Sequence, residues 1–379
     1  MPKPPRNHVD DLRGAGRLAI EATRGVTGLV EAMHVTIASG PALLGSPLAG
    51  PAKLATGLVY GAIRGVTGMV GAGIDGALAQ LAPLLGASVP GPEREILVAV
   101  LNGVLGDYLA AQGNPLALPM HLRPAAPAGG KLAVLVHGLC MAERQWTRGD
   151  HDHGAALARD LGYTPVYASY NSGLHISTNG HALAAALDAL VATWPVPIED
   201  IVVVGHSMGG LVARSAIAVA SRPGWRAKLR VLVTLGAPHH GAPLERGGHW
   251  IDLLLGVSRY SAPFGRLARV RSAGITDLRF GDVRDADWEG RDRFALGAAR
   301  HRQVLALPAD VACYALAGTL GVTDSDGMVP VASALGRDAN PALALGFPID
   351  HLAIVAGTSH LDLLAEAVYP TLRDWLRET

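Results

Sequence analysis

The chain has 379 residues, 49% hydrophobic and 17% charged, with 47 glycines, enough for one large domain with extensions or for two domains. With 32 basic and 32 acidic residues the formal net charge is zero, so no basic field exists to hold a phosphate backbone and nucleic acid is not an expected partner. The two cysteines, Cys140 and Cys313, exclude a disulfide framework and leave room for one bridge at most.

The opening stretch from Met1 to His8 lacks the continuous apolar core of a signal peptide, so a cytoplasmic address is expected. Residues 13–118 read as helical. Leu18, Ala22, Val26, Leu29, Met33 and Ile37 recur at helical spacing, and a second run takes in Leu58, Ala62, Val66, Met69, Ile74, Leu78 and Leu81. Arg24-Gly-Val-Thr-Gly-Leu-Val30 returns as Arg64-Gly-Val-Thr-Gly-Met-Val70. We read a duplicated helical hairpin, too few copies for a solenoid. Gly57, Gly61 and Gly65 have the small-xxx-small spacing that membrane helices also use. His34, Pro41, Pro47, Pro51, Arg64 and Asp75 interrupt the apolar stretches, whereas a span needs about 20 unbroken residues. The expectation is therefore a helical appendage, with peripheral membrane contact as the alternative. A third helix is expected over Pro92–Ala111, and the proline-rich 119–130 as the linker.

From Lys131 strands and helices alternate. Leu132-Ala-Val-Leu-Val136, residues 164–170, 201–204, 229–235 and 311–317 read as strands, with 351–356 as the last. Residues 152–160, 180–193 and 211–220 read as helices, and 362–376 as a closing amphipathic one. This predicts a mostly parallel sheet covered by helices on both faces, with the site at the carboxyl ends of its strands. Residues 244–302, rich in Arg, Asp and Trp, break the alternation and are expected to form an inserted cap. The domains expected are thus 1–130, helical, and 131–379, catalytic.

Gly205-His-Ser207-Met-Gly209 sits between a strand and a helix, where glycines permit a tight turn that lifts the serine above the sheet. A serine hydroxyl needs a base, and the base a carboxylate to fix its tautomer. Asp326, before Gly327, is the expected acid, with Asp324 as the alternative; His360 is the expected base, with His351 as the competitor. The oxyanion calls for preorganised donors, assigned to the backbone N–H groups of Leu139, after His137-Gly138, and Met208. His137 and His206 are expected to orient loops, and Pro238-His-His-Gly241 to lie at the site rim. His151-Asp-His153 is read as a polar helix start rather than a metal site. Asp362 is either a first-turn helix residue or a calcium ligand. No cofactor and no metal are called for.

With these residues in place the chain resembles a serine lipase/esterase of the α/β-hydrolase superfamily, and most of all bacterial lipases and the hydrolases grouped with the GPI inositol-deacylase family. The matching pieces are His137-Gly138, Gly205-His-Ser-Met-Gly-Gly210, Thr234-Leu-Gly-Ala-Pro-His-His-Gly241, Asp326-Gly-Met-Val329 and Ser359-His-Leu-Asp362. The resemblance implies an α/β-hydrolase fold over residues 132–376, ester hydrolysis with acyl lipids among the substrates, and a lid over the serine. It also implies Asp326 as triad acid and His360 as base. The helical region before Lys131 has no counterpart in small secreted lipases, and their calcium ligands are matched at most at Asp362. The expected substrate is a small-molecule ester or lipid. Acyl transfer by the same triad and a non-catalytic membrane or binding scaffold are the rival readings.

Overall fold

The computed structural model describes residues 13, 14, 16, 17, 20, 92–221, 224–242, 272–291, 304–321 and 324–378. Both apolar helical runs, the duplicated heptapeptide and the cap residues other than 272–291 lie outside the described residues. Two compact units are present: Met1–Gly91 with Leu109–Leu116, and Pro92–Tyr108 with Ala117–Thr379. In the first, Asn114 Nδ2–H donates to the Gly14 carbonyl at 3.0 Å.

The second unit is built on a seven-stranded sheet in the order β1-β5-β2-β6-β7-β8-β9. Its strands are β1 (His121–Pro124), β2 (Lys131–Val136), β5 (Thr164–Ser169), β6 (Asp200–His206), β7 (Leu229–Leu235), β8 (Ala312–Thr319) and β9 (Leu352–Ala356). β3 (Thr147–Arg148) and β4 (His151–Asp152) form a separate small hairpin. All neighbours in the large sheet are parallel except β1, which runs antiparallel to β5. The central strands are near-continuous Val/Leu/Ile runs because both of their faces are covered. Leu132, Val134, Leu135, Val136, Val204 and Val233 have no solvent exposure.

One face packs on α2 (His153–Leu161) and α8 (Tyr369–Arg377), whose Leu157, Leu372 and Trp375 meet Leu135, Val204 and Val233. The other face carries α3 (Ile176–Ala192) and α4 (Met208–Val219), which pack together, α4 lying directly on β2, β6 and β7. Before the sheet comes α1 (Pro92–Ala111). Between β7 and β8 lie α5 (Ala273–Phe280) and α6 (Asp285–Trp288), and α7 (Val331–Ala334) follows β8. From β2 the chain moves outward to β5, then returns to β6 on the other side of β2. The crevice beyond the carboxyl ends of β2 and β6 is thus a topological switch point.

Two expectations are corrected. The stretch 119–130 is not wholly a linker, since His121–Pro124 forms the edge strand β1. Only Leu122 of it is buried, so it carries no hydrophobic alternation, and Pro124 fits an edge where a missing N–H is tolerated. Residues 362–376 are not one helix. Two 3₁₀ turns, Asp362–Leu364 and Glu366–Val368, precede α8, because Ala365 is extended and Pro370 suits only the first turn of a helix. Among the described residues no helix is long and apolar enough to cross a membrane.

Candidate active site

Ser207 stands between the last residue of β6 and the first of α4 with φ 53° and ψ −125°, a left-handed backbone that a side chain rarely adopts. The turn also brings backbones close together. A methyl on Gly209 would overlap the Val136 carbonyl oxygen and come within 2.6 Å of that of His137. The Ser207 N–H donates to the Leu235 carbonyl at 2.8 Å, which ties the elbow to β7. Met208 opens α4, so its N–H is one of those a helix leaves without an internal partner.

Asp326 lies in the tight turn closed by the Ser325–Pro330 bridge after β8. Its Oδ1 accepts the N–H groups of Met328 at 2.9 Å and Val329 at 2.8 Å. Its Oδ2 accepts His360 Nδ1–H at 2.7 Å, and the His360 N–H donates to the Asp326 carbonyl at 3.0 Å. Both side chains are 1% exposed. Burial alone would raise the Asp326 carboxyl; the His360 charge and hydrogen bond, with the two amides, hold it below the usual carboxylate value. With Nδ1 engaged, His360 Nε2 is the remaining ring nitrogen. It has no hydrogen-bond partner among the described residues, so its bond to Ser207 Oγ is not made in this state. Such bonds are often loose without substrate.

Ser207 and His360 line one cleft with His206, Leu139, Met141, Pro238, Ala242, Leu278, Met328 and Val329. Leu139 follows β2 in a loop whose Gly138 sits against Ser207 Cβ, and among the described residues its amide donates to no other group. His206 Nε2–H donates to the His360 carbonyl at 2.9 Å, and burial followed by the His360 charge pushes its pKa down to about 3. His137 stacks on Tyr170 at 4.4 Å, and burial takes it down to about 4. Each histidine thus holds a loop as a neutral ring.

The alternatives to the expected acid and base fall elsewhere. Asp324 is exposed, and His351 gives its Nδ1–H to the Cys313 carbonyl at 3.0 Å beside β9. Asp152 caps α2 through the Ala155 N–H, while His151 and His153 bond each other at 2.7 Å. His153 Nε2–H continues to the Leu363 carbonyl at 3.0 Å. Asp362 accepts Arg148 at 2.7 Å and Ser359 at 2.5 Å. Arg148 and His153 therefore hold the turn that carries His360. Sequence reading missed both roles, since their partners lie more than 200 positions away in the chain. Pro238 reaches the cleft as expected; His239 is buried between Arg214 and Thr234. Both cysteines are free.

A mostly parallel sheet wrapped by helices, with a serine elbow at its switch point and a buried Asp–His pair beside it, is the architecture of the α/β-hydrolase fold. Residues 128–304 match the family model described as the PGAP1-like alpha/beta domain. The mature form of a Bacillus licheniformis lipase is similar in structure, with 17% identity and a TM-score of 0.44 over 68% of this chain and 98% of that one. An esterase of Pyrococcus furiosus is similar at 12% identity and TM-score 0.41, over 68% and 85% of the two chains. A lipase-esterase related protein of Clostridium acetobutylicum gives 9% and 0.41, over 69% and 99%. No curated protein matches the sequence.

Proposed function

We propose that residues 131–379 form a catalytic domain that hydrolyses carboxylic esters of lipids or medium-chain acids through Ser207, His360 and Asp326. The observation that carries this reading is the buried Asp326–His360 bond, which leaves Nε2 as the uncommitted nitrogen of the His360 ring in a cleft shared with Ser207. Ser207 Oγ attacks the acyl carbon while His360 Nε2 takes its proton. Asp326 keeps the other proton on Nδ1 and stabilises the imidazolium. The N–H groups of Leu139 and Met208 receive the oxyanion. The acyl C–O bond then breaks, His360 returns the proton to the departing alcohol, and water releases the acid from Ser207 by the reverse sequence.

Apart from Ser207 and the two histidines, the cleft wall is made of Leu, Met, Pro, Ala and Val side chains, which favours an apolar acyl group. A chain-length series of p-nitrophenyl esters is the test, with wild type and Ser207→Ala compared at equal concentration. The expected result is turnover that rises from acetate to medium chains and falls by roughly 10⁶ in the variant. Undiminished turnover in Ser207→Ala would sink the mechanism.

A further inference from the structure

We infer that Gly103, in the helix that precedes the hydrolase sheet, is a positioning residue for the oxyanion loop, an inference that rests on the ester-hydrolase reading. At Gly103 α1 meets the loop backbone directly. A methyl there would overlap Cys140 Sγ and come within 2.9 Å of the Cys140 Cα and N. Cys140 follows Leu139 and has φ 59°, one of only two non-glycine residues with positive φ among the described residues; Ser207 is the other. Its N–H donates to Ser172 Oγ at 3.0 Å. On the opposite side of the loop, a methyl on Gly138 would lie 3.0 Å from Ser207 Cβ. The loop is thus held between α1 and the elbow, and its amide directions follow from how near α1 comes.

The same turn of α1 also holds the start of α5. The Gly103 carbonyl accepts Ser272 Oγ–H at 2.6 Å, and Asp107 Oδ2 accepts the Ala273 N–H at 3.1 Å. Ser272 caps α5, whose Leu278 lines the cleft beside Leu139. One helical turn thereby fixes both a wall of the acyl site and the loop that carries an oxyanion donor. A change at Gly103 should act on transition-state stabilisation more than on substrate binding.

The test is Gly103→Ala in the full chain, alone and with Cys140→Gly, which removes Sγ and frees a backbone already at positive φ. Alanine is the better helix former, so α1 itself should persist. The expected result is a kcat lower by about 10²-fold, the size of losing one oxyanion donor, with KM within about twofold and the double variant, which relieves the Sγ overlap but not the backbone approach, recovering part of the loss. Hydrogen exchange of the 137–141 amides, read in parallel, should be faster in Gly103→Ala and return toward wild type in the double variant. If Gly103→Ala does not fold, Ser172→Ala, which unpairs the Cys140 N–H, should give the same split between kcat and KM and the same exchange signature. Wild-type kcat together with unchanged exchange would overturn the inference. Faster exchange in a protein whose wild type cleaves no ester would leave the brace standing and remove the ester-hydrolase reading instead.

Discussion

A carboxylate buried beside an imidazole stays ionised only if its partners outweigh its own desolvation. Around Asp326 three hydrogen bonds do so, and their arrangement decides what a substitution would do. Oδ1 faces two N–H donors, so an asparagine at 326 must place its oxygen there and its NH₂ toward His360 Nδ1. The imidazole then has to accept at Nδ1, which moves its proton to Nε2 and blocks the base. Asp326→Asn should therefore lower kcat by about 10⁴-fold with KM nearly unchanged, in steady-state assays on a soluble ester. A loss confined to KM would point to a binding role for Asp326. The pairing also shows why the motif was readable. Aspartate before glycine in a tight turn, and histidine after Gly-Thr-Ser, are local patterns whose turn geometry is set by neighbours in sequence.

At the scale of elements, the strand–elbow–helix unit is the part most constrained by packing. Gly209 lets α4 approach β2 so closely that a single methyl meets two carbonyl oxygens. Gly209→Ala should destabilise the fold by about 1–3 kcal/mol through overpacking and slow fluorophosphonate labelling of Ser207. Urea titration and labelling kinetics check the two effects; a variant with wild-type stability would mean that α4 shifts without resistance. Other element ends were illegible for a physical reason. α3 begins at Ile176 rather than at 180 because Asp277, 101 positions away, accepts the Ile176 N–H at 2.8 Å. Its own preceding residue, His175, supplies no capping bond. No local pattern announces a cap that comes from another element.

Across the whole molecule, buried neutral histidines should dominate the response to acid. Burial takes His137 and His153 down to about 4, and burial with the His360 charge takes His206 to about 3. Unfolded histidine titrates near 6.5. Between these values the unfolded chain binds more protons than the folded one. The stability that these rings contribute is thus full above about 6.5 and is lost as pH falls toward their folded values, by up to about 1.4 kcal/mol per pH unit for each. Unfolding free energy from denaturant titrations at pH 7, 6 and 5 should decline accordingly, and His153→Gln should flatten the slope. A profile with no slope between pH 7 and 5 would mean that these rings accept protons in the folded state.

The chain order of strands and helices, the elbow and the two turns that carry Asp326 and His360 were legible in the sequence, because these depend on apolar periodicity and on turn chemistry between neighbours. Only the tertiary structure decided which distant groups hold that pair in place: Arg148 on Asp362, His153 on the Leu363 carbonyl and His206 on the His360 carbonyl. It alone also brought α1 against the 137–141 loop at Gly103. Such contacts join residues far apart in the chain through single hydrogen bonds or one missing side chain. They arise when the sheet fixes its layers, and no local run of residues encodes them.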